Sequence, residues 1–372
     1  TNYLDREAIK TDELKALYLL NNMHGMYSDK LLRIYEHFTS FADAYRADAK
    51  EYYEAGLFVR KQTGEAFDEL KRRENTLLHR AESFGRQGIR LVSMFDEAYP
   101  KRLDNIKDKP PLLYVAGHMP DEVRHTAAMI GARNCSEYGR TVARMFAGEL
   151  AGKGVQIVSG LAYGIDIEAA YGSLGAAGES YAVLGNGINI CYPRHNAEAY
   201  DRMRHGEGGI ISEFPPDTAA IGYNFVLRNR IISGLSDVLI VIEAAKKSGT
   251  AITVGYALDQ GKEVFALPGR IDDPLGYGCN RFIKEGANII TESKDILDYF
   301  GIGDEEENDT ALVTADMGEN ERKVYEVLGM EPMHIEKISA NAGLDIADTL
   351  TALAELESEG LINSPRRAFF SR

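Results

Sequence analysis

The chain has 372 residues, enough for one large α/β domain with one or two small ones, and it contains no run of about 18 apolar residues that could span a membrane. Its net charge of −15 argues against a nucleic-acid partner, but seven acidic and no basic residues lie in 301–320, and residues 131–286 hold 15 Lys and Arg against 17 Asp and Glu. Because local clustering matters more than net charge for binding a polyanion, composition leaves that partner open.

The sequence also shows little sign of a secretory signal peptide or of a metal-binding site. The first residues show no secretory signal, and the three cysteines are far apart and match no metal-ligand spacing. We therefore expect a cytoplasmic protein with free thiols and no bound metal.

Residues 1–84 are predicted to form a small helical module, because apolar residues recur there at helical spacing. Within it, MHGMYSDKL (23–31) occupies the place of a helix–hairpin–helix turn, although Met26 stands where such a turn usually has its second glycine. A module that serves only for packing is the alternative. Residues 85–117 are expected to lead from this module into a sheet.

Residues 85–300 are predicted to form an open, mostly parallel α/β sheet. From residue 128 to residue 290, apolar strand-like runs alternate with helix-like segments. In a parallel sheet the carboxyl ends of the strands meet at one edge, where ligands bind. Gly, Ser, Asn and Arg in the loops at that edge predict a phosphate cradle. These loops are GARNCSEYG (131–139), SGLAYGID (159–166), GNGINICYPRHN (185–196), SEFPP (212–216), EAAKKSGT (243–250) and LPGR (267–270).

Cationic residues recur in or near these loops. Arg133 and Arg194 follow predicted strands, RNR (228–230) lies on a predicted helix, and Lys246 and Lys247 precede an SGT that opens a helix. A lone arginine in such a loop is usually a solvated surface residue. The convergence of several on one sheet edge favours phosphate contact, for which the guanidinium is well suited.

The loop SGLAYGID (159–166) has two interpretations. Ser159, Gly160 and the amides that follow can form an anion site, whereas a tight strand–helix turn without a ligand fits equally well. Asp166 is predicted to cap the helix that follows.

Signals for enzymatic chemistry are poor, and we predict no catalytic residue and no cofactor. The chain has no GxxxxGK[ST] run, and GNG (185–187) is only a fragment of a dinucleotide-binding GxGxxG. Asp166, Glu213 and Glu243 are expected to cap helices or pair with arginines, although the sequence does not exclude a carboxylate array for two metals.

The carboxy-terminal region is predicted to form an acidic linker (301–320) and a small domain (321–372). The small domain shows three helical segments followed by a strand-like tail, which is the pattern of a winged helix.

The motifs together resemble the DprA (Smf) family of bacterial DNA-processing proteins. The resemblance covers roughly residues 95–300 and includes KPPLLYVAG, IGARNCSEYG, IVSGLAYGID, AVLGNGINICYPRHN, ISEFPP, NFVLRNRIISGLS, VLIVIEAAKKSGTAIT, VFALPGR and GYGCNRFIKEGANII. The resemblance implies that residues 85–300 form an extended Rossmann-like, doubly wound and mostly parallel α/β sheet. It also implies a protein that binds single-stranded DNA, loads the RecA recombinase onto it during natural transformation, forms a homodimer and has no established catalytic reaction.

The resemblance and the loop residues together define the predicted sites. The DNA- and phosphate-binding residues are predicted to be Arg133, Ser159, Gly160, Gly164, Asn186, Arg194, Asn196, Arg228, Asn229, Arg230, Lys246, Ser248, Gly249 and Thr250. The resemblance places the dimer surface at Arg281, Phe282 and Ile283, although Phe282 and Ile283 can equally pack onto the sheet.

Two positions depart from the family pattern: Ala170 replaces a histidine in the helix after GID, and Val226 replaces the proline that usually precedes xRNR. The first departure weakens any proposal of acid–base chemistry at this site. The alternative function is a nucleotide-processing, phosphoribohydrolase-like enzyme on a related sheet, but the PGGxGTxxE spacing of such enzymes is missing.

Overall fold

The structure, a computed structural model, describes residues 11–302, 317–329, 332–359, 361–366 and 368–371. Two compact units are present, one reaching to Ile296 and the other beginning at Leu297. Most of the predicted acidic linker, residues 303–316, lies outside the described residues. None of the described helices is long and apolar enough to cross a membrane.

The amino-terminal part of the first unit is helical, as predicted. Its helices are α1 (Asp12–Asn21), α2 (Ser28–Phe38), α3 (Phe41–Arg46), α4 (Ala49–Glu54), α5 (Lys61–Arg72) and α6 (Glu74–Glu82). Local signals set several of these boundaries. Thr39 adopts a left-handed conformation where α2 ends, and Asp48 begins α4 with a capping box completed by Glu51.

A nine-stranded sheet forms the centre of the first unit. Its strands are β1 (Ile89–Ser93), β2 (Leu112–Gly117), β3 (Thr126–Ile130), β4 (Gln156–Ser159), β5 (Ser180–Leu184), β6 (Gly208–Ser212), β7 (Val238–Val241), β8 (Glu263–Ala266) and β9 (Asn288–Ile289). The strand order is β1-β2-β6-β5-β4-β3-β7-β8-β9, with β1–β2 and β2–β6 antiparallel and all other pairs parallel. The predicted mostly parallel α/β sheet is therefore confirmed.

Helices connect the parallel strands and cover the sheet. They are α7 (Glu137–Gly152), α8 (Ile165–Gly175), α9 (Ala197–Arg204), α10 (Gly222–Gly234), α11 (Thr250–Asp259) and α12 (Tyr277–Lys284), and α13 (Lys294–Phe300) follows β9.

The two faces of the sheet have separate cores, because side chains alternate along each strand. Along β2, Leu112 and Tyr114 pack against the amino-terminal helices, whereas Leu113 and Val115 pack on the opposite face. Tyr114 also donates a hydrogen bond of 2.8 Å to Asn21 Oδ1 at the end of α1. The helical module is thus packed directly onto the sheet.

The second unit has the predicted winged-helix layout. It contains α14 (Glu319–Val327), β10 (Met333–His334), α15 (Ile335–Ala342), α16 (Ile346–Ser358), β11 (Asn363–Arg366) and β12 (Phe369–Ser371). The three strands form a sheet in the order β10-β12-β11. Val324, Ile338, Leu353 and Leu356 form its buried core.

Candidate nucleic-acid interface

The strand order creates a crevice at the carboxyl edge of the parallel strands. The chain runs from β3 outward through β4, β5 and β6, and then returns to β7 on the other side of β3. Ligands of open α/β sheets bind at such a reversal, outside the carboxyl ends of the strands. Here the loops after β3 and β7, residues 131–136 and 242–249, flank the crevice.

Two of the predicted arginines are exposed at this edge. Arg133 follows β3, and its guanidinium lies 5.5 Å from the centroid of the Phe225 ring on α10. Arg194 follows β5 and begins a short 3₁₀ turn. Within the described parts of the chain neither arginine has a carboxylate within ion-pair distance. Both charges are therefore available to a ligand.

Arg228, in contrast, is buried beneath the edge with 3% of its surface exposed. It donates to the carbonyl oxygens of Gly160 (2.9 Å) and Val183, which connects α10 to the ends of β4 and β5. Burial lowers the pKa of Arg228 to about 10, against the opposing effect of the nearby Asp166. Its neighbour Asn229 is half-buried and accepts a hydrogen bond from Arg228 Nε at 3.2 Å.

Gly160 and Gly164 occupy places that no side chain can fill. A Cβ at Gly160 would lie 2.5 Å from Arg228 Nη2 and 2.6 Å from Asp166 Oδ2. Gly164 has φ +77°, and a Cβ there would lie 2.2 Å from the carbonyl oxygen of Ala132. The loop after β4 therefore packs tightly against the loop after β3.

The prediction that Asp166 caps α8 is wrong. Asp166 lies inside α8, and Gly164 at the helix start has no side-chain cap. The carboxylate instead accepts from the backbone N–H groups of Gly160 (3.0 Å) and Ala162 (3.4 Å). Burial raises its pKa, whereas Arg228 and these N–H groups lower it. Asp166 thus fixes the loop that precedes its own helix.

Ser159, Asn186 and Asn196 are fully buried and hold the loops from within. Asn196 Nδ2 donates to the carbonyl of Leu161 at 2.9 Å, and Asn186 Nδ2 donates to the carbonyl of Ile190 at 2.7 Å. Ser159 Oγ donates to the carbonyl of Asp166 at 3.3 Å. The structure therefore places these three predicted site residues behind the surface of the edge.

Arg230 is 5% exposed and paired with Glu213. Its two terminal nitrogens each lie 2.7 Å from a Glu213 carboxylate oxygen, and its Nε donates to the carbonyl of Asp108 at 3.0 Å. Glu213 also accepts from Ser28 Oγ of α2 at 2.6 Å. This buried network ties α10 to the helical module and leaves the Arg230 guanidinium occupied.

The loop after β7 supplies cations and a helix start. Lys246 and Lys247 are exposed, and Lys246 Nζ lies 5.3 Å from the centroid of the Tyr277 ring. Gly249 precedes α11, which starts at Thr250 without a side-chain cap and has no acidic residue in its first turn. The buried hydroxyl of Ser248 has no hydrogen-bond partner among the described residues.

Aromatic side chains at this edge were missed in the sequence. Phe225 stacks on Tyr192, with centroids 5.6 Å apart and planes 29° apart, and Arg133 lies over the same Phe225 ring. Tyr192 and Tyr163 are 46% and 49% exposed. The sequence signal for them was weak, because an aromatic residue near the end of a strand more often belongs to a core.

The carboxylates closest to the edge have structural partners. Glu243 accepts from the backbone N–H of Ser136 at 2.9 Å and from its hydroxyl, which positions the start of α7. Glu213 and Asp166 are occupied as described above. Over the described ranges, no cluster of three or more His, Cys, Asp or Glu side chains is arranged to hold a metal ion.

The predicted dimer residues lie on α12. Phe282 is 7% exposed and belongs to the core on one face of the sheet, where Ile283 also packs in part. Arg281 is exposed and forms an ion pair with Glu285 at 2.8 Å. Phe282 therefore packs onto the sheet, whereas Arg281 and part of Ile283 remain at the surface.

Sequence comparison assigns the family. The family described as "DNA recombination-mediator protein A" matches residues 90–301, and the "DprA winged helix domain" matches residues 309–364. The chain belongs to the DprA/Smf family. It is 39% identical to Protein Smf of Escherichia coli over 280 residues, 73% of this chain and 74% of the relative. It is 38% identical to DprA of Bacillus subtilis over 217 residues, 58% of this chain and 73% of the relative.

Solved structures of DprA proteins have the same architecture. The structure of Streptococcus pneumoniae DprA matches with a TM-score of 0.65 at 29% identity, over 77% of this chain and 97% of that one. A Helicobacter pylori DprA structure, described for its single-stranded DNA binding mode, matches with a TM-score of 0.50 at 29% identity, over 56% of this chain and 95% of that one.

Proposed function

We propose that this chain binds single-stranded DNA across the carboxyl edge of its sheet and acts as a recombination mediator. The observation that carries the proposal is the group formed by Arg133, Phe225 and Tyr192, in which an unpaired guanidinium lies over a stacked aromatic pair. Its family membership and the single-stranded DNA binding described for the Helicobacter pylori relative support the same function.

Cations and aromatic rings together are what single-strand binding requires. Phosphates attract the unpaired charges of Arg133, Arg194 and Lys246, and bases stack on exposed aromatic faces whatever their identity. Tyr192 and Tyr163 present such faces at the same edge. We therefore expect affinity that depends strongly on salt and weakly on base sequence.

The buried residues of the predicted site have a different role in this proposal. Arg228, Ser159, Asn186 and Asn196 hold the loops at fixed positions, and Gly160 and Gly164 allow those loops to approach each other closely. The N–H groups at the start of α11, with Ser248, Gly249 and Thr250, add a place for a further phosphate. Arg230 acts through Glu213 on the position of α10.

Loading of the RecA recombinase and formation of a homodimer complete the proposal. Two linked sites make the second strand contact intramolecular, which raises avidity without any new contact. The surface of α12 with Arg281 and Ile283 is our proposed dimer surface. We expect Ile283→Glu to give a folded monomer with weaker DNA binding, whereas a wild-type chain that sediments as a monomer would remove the dimer from the proposal.

The test compares labelled single-stranded and double-stranded oligonucleotides over a range of salt concentrations. We expect preferential binding of the single strand, and Arg133→Ala should lower affinity for all single strands and reduce the slope of log affinity against log salt by about 1 unit or less. Arg124→Ala, at the opposite edge of the sheet, is the matched control. Equal affinity and slope for wild type and Arg133→Ala would contradict the proposal.

A further inference from the structure

The turn between α1 and α2 lies beside the start of α10. Tyr27 of this turn and Tyr223 of α10 meet edge to face, with ring centroids 5.7 Å apart and planes at 79°. Tyr223 is 59% exposed although it makes this contact. The two rings therefore form an aromatic surface that is open to solvent, where the turn meets the helix that also carries Phe225.

This aromatic surface is fixed to the sheet by buried polar contacts. Ser28 Oγ, directly after Tyr27, donates to Glu213 Oε2 at 2.6 Å, and Asn21 Nδ2 donates to the Glu213 carbonyl at 3.4 Å. Glu213 in turn holds Arg230 of α10. Separating the turn from Glu213 would leave the buried Ser28 hydroxyl without this hydrogen bond and remove one from the Asn21 amide, so the aromatic surface is held to the same edge as the proposed DNA site.

The charges around this turn suit a polyanion. Between residues 22 and 33 the exposed cations are Lys30 and Arg33, and Asp29 is the single carboxylate in that stretch of the sequence. Lys30 Nζ donates to the carbonyl of Gly25 at 2.7 Å, which leaves donors free for another contact. Exposed tyrosines beside free cations are the composition of a single-strand binding surface.

The two aromatic pairs lie on different sides of the same helix start. Phe225 contacts Tyr192 from the β5 loop, whereas Tyr223 contacts Tyr27 from the helical module. Two residues along an α-helix correspond to a rotation of about 200°, which explains why the rings face apart. Gly222, the first residue of α10, is exposed and has no neighbouring atom where a Cβ would be, so the surface at the start of this helix is open.

We propose that a single strand leaving the Arg133 site crosses the start of α10 and continues onto the helical module, where Tyr27 and Tyr223 stack on bases and Lys30 and Arg33 contact phosphates. The inference rests on the proposed function, and it assigns the helical module a direct part in binding. The protein then contacts more nucleotides than the sheet edge alone would hold, because the second aromatic pair engages nucleotides beyond those held by Phe225.

The experiment measures binding of oligothymidylates of about 6 and about 20 nucleotides by fluorescence anisotropy. The wild-type protein should have a lower Kd for the longer strand than for the shorter strand. Tyr223→Ala should weaken binding of the longer strand by about 5- to 150-fold, the range of one lost base stack, and leave binding of the shorter strand unchanged. Tyr223→Phe keeps the ring and should bind both strands like wild type. Leu258→Ala, an exposed apolar residue on α11, is the surface control.

A second variant tests the charges independently of the rings. Lys30→Ala combined with Arg33→Ala should reduce the salt slope for the longer strand only. The inference is overturned if Tyr223→Ala leaves the longer strand unaffected, or if it weakens both lengths equally. Either result leaves the proposed function intact as long as Arg133→Ala weakens both lengths, whereas failure of Arg133→Ala at both lengths would remove the proposed function itself.

Discussion

The two edges of the parallel sheet use their arginines in opposite ways. At the amino edge, Arg102 pairs with Asp237 at 3.1 Å and Arg124 pairs with Glu179, which also accepts from Tyr181. At the carboxyl edge, the exposed arginines that follow β3 and β5 have no carboxylate within ion-pair distance among the described residues. We call the amino edge closed because Arg102 and Arg124 are paired, and the carboxyl edge open because Arg133 and Arg194 are not, although Arg270 at the carboxyl edge pairs with Asp272 at 3.0 Å.

This difference shows that pairing, rather than the number of charges, identifies a polyanion site. Residues 131–286 hold nearly equal numbers of acidic and basic residues, so the net charge of this region does not predict whether it binds a polyanion. At the carboxyl edge the nearby carboxylates have partners within the fold: Glu213 pairs with Arg230, and Glu243 accepts a hydrogen bond from Ser136 at the start of α7. Arg133 and Arg194, unlike Arg270, have no such partner among the described residues and remain available to phosphate.

The largest expected effect concerns the buried pair beneath the open edge. Glu213→Ala would leave the buried Arg230 guanidinium without its carboxylate partner, which should lower the free energy of unfolding by about 3–5 kcal/mol. Glu179→Ala at the closed edge removes a half-exposed pair and should cost about 1 kcal/mol or less. Urea unfolding of both variants measures the difference. Equal losses would mean that the two edges do not differ in how their acids are used.

The aromatic ring at the centre of the open edge should be next in size. Phe225→Ala removes the ring that contacts Arg133 and Tyr192, and we expect it to weaken single-strand binding by about 1–3 kcal/mol. Anisotropy titration measures the change, with Phe225→Tyr as the variant that keeps a stacking face. An unchanged affinity in Phe225→Ala would place base contact elsewhere.

The winged-helix unit should contribute little to single-strand affinity. Its α16 carries Asp348, Glu355 and Glu357 at exposed positions, together with exposed Ile346 and Leu350. Such a surface repels phosphate and is better suited to a protein contact. Deleting residues 305–372 should leave single-strand affinity within about twofold of wild type. Loss of most of the affinity would move the DNA site to this unit.

The smallest expected effect is on the rate at which the cysteine thiols are alkylated. Burial raises the pKa of Cys279 to about 12, and partial burial raises those of Cys135 and Cys191 above their usual range. Because the thiolate is the reactive form, modification should be slow near neutral pH and accelerate as pH rises, first at the two partly exposed thiols. Mass spectrometry after alkylation follows each site. Bound single-stranded DNA should slow Cys135, which follows Arg133 by two residues, and Cys279 reacting first would contradict this order.

Much of the sheet could be predicted from the sequence because its signals are local. Apolar runs that end in small or polar residues mark β3 to β8, and SGT (248–250) correctly marks the start of α11. The antiparallel placement of β2 beside β6 has no such signal, because it depends on long-range pairing. The role of Asp166 was predicted wrongly for a local reason, because its carboxylate accepts from backbone N–H groups four and six residues earlier. Its acceptor role depends on how the loop after β4 folds back.

The candidate site was predictable in its location and less so in its roles. Arg133 and Arg228 look alike in the sequence, but the first is exposed and the second is buried against two strand ends. Burial on α10 is decided by which face meets the sheet, and the polarity of the sequence does not show this face, because Asn224, Arg228 and Arg230 are buried whereas Tyr223 is exposed. Phe225 and Tyr192 are 33 positions apart, and only the strand order brings them together.

Hydrogen–deuterium exchange with and without a saturating single strand tests the comparison of the two edges most directly. We predict protection in peptides covering residues 131–136, 186–196 and 221–228, and no change in peptides covering 118–126 and 177–181 at the amino edge. Protection at the amino edge, or an unchanged carboxyl edge under saturating DNA, would contradict the central claim.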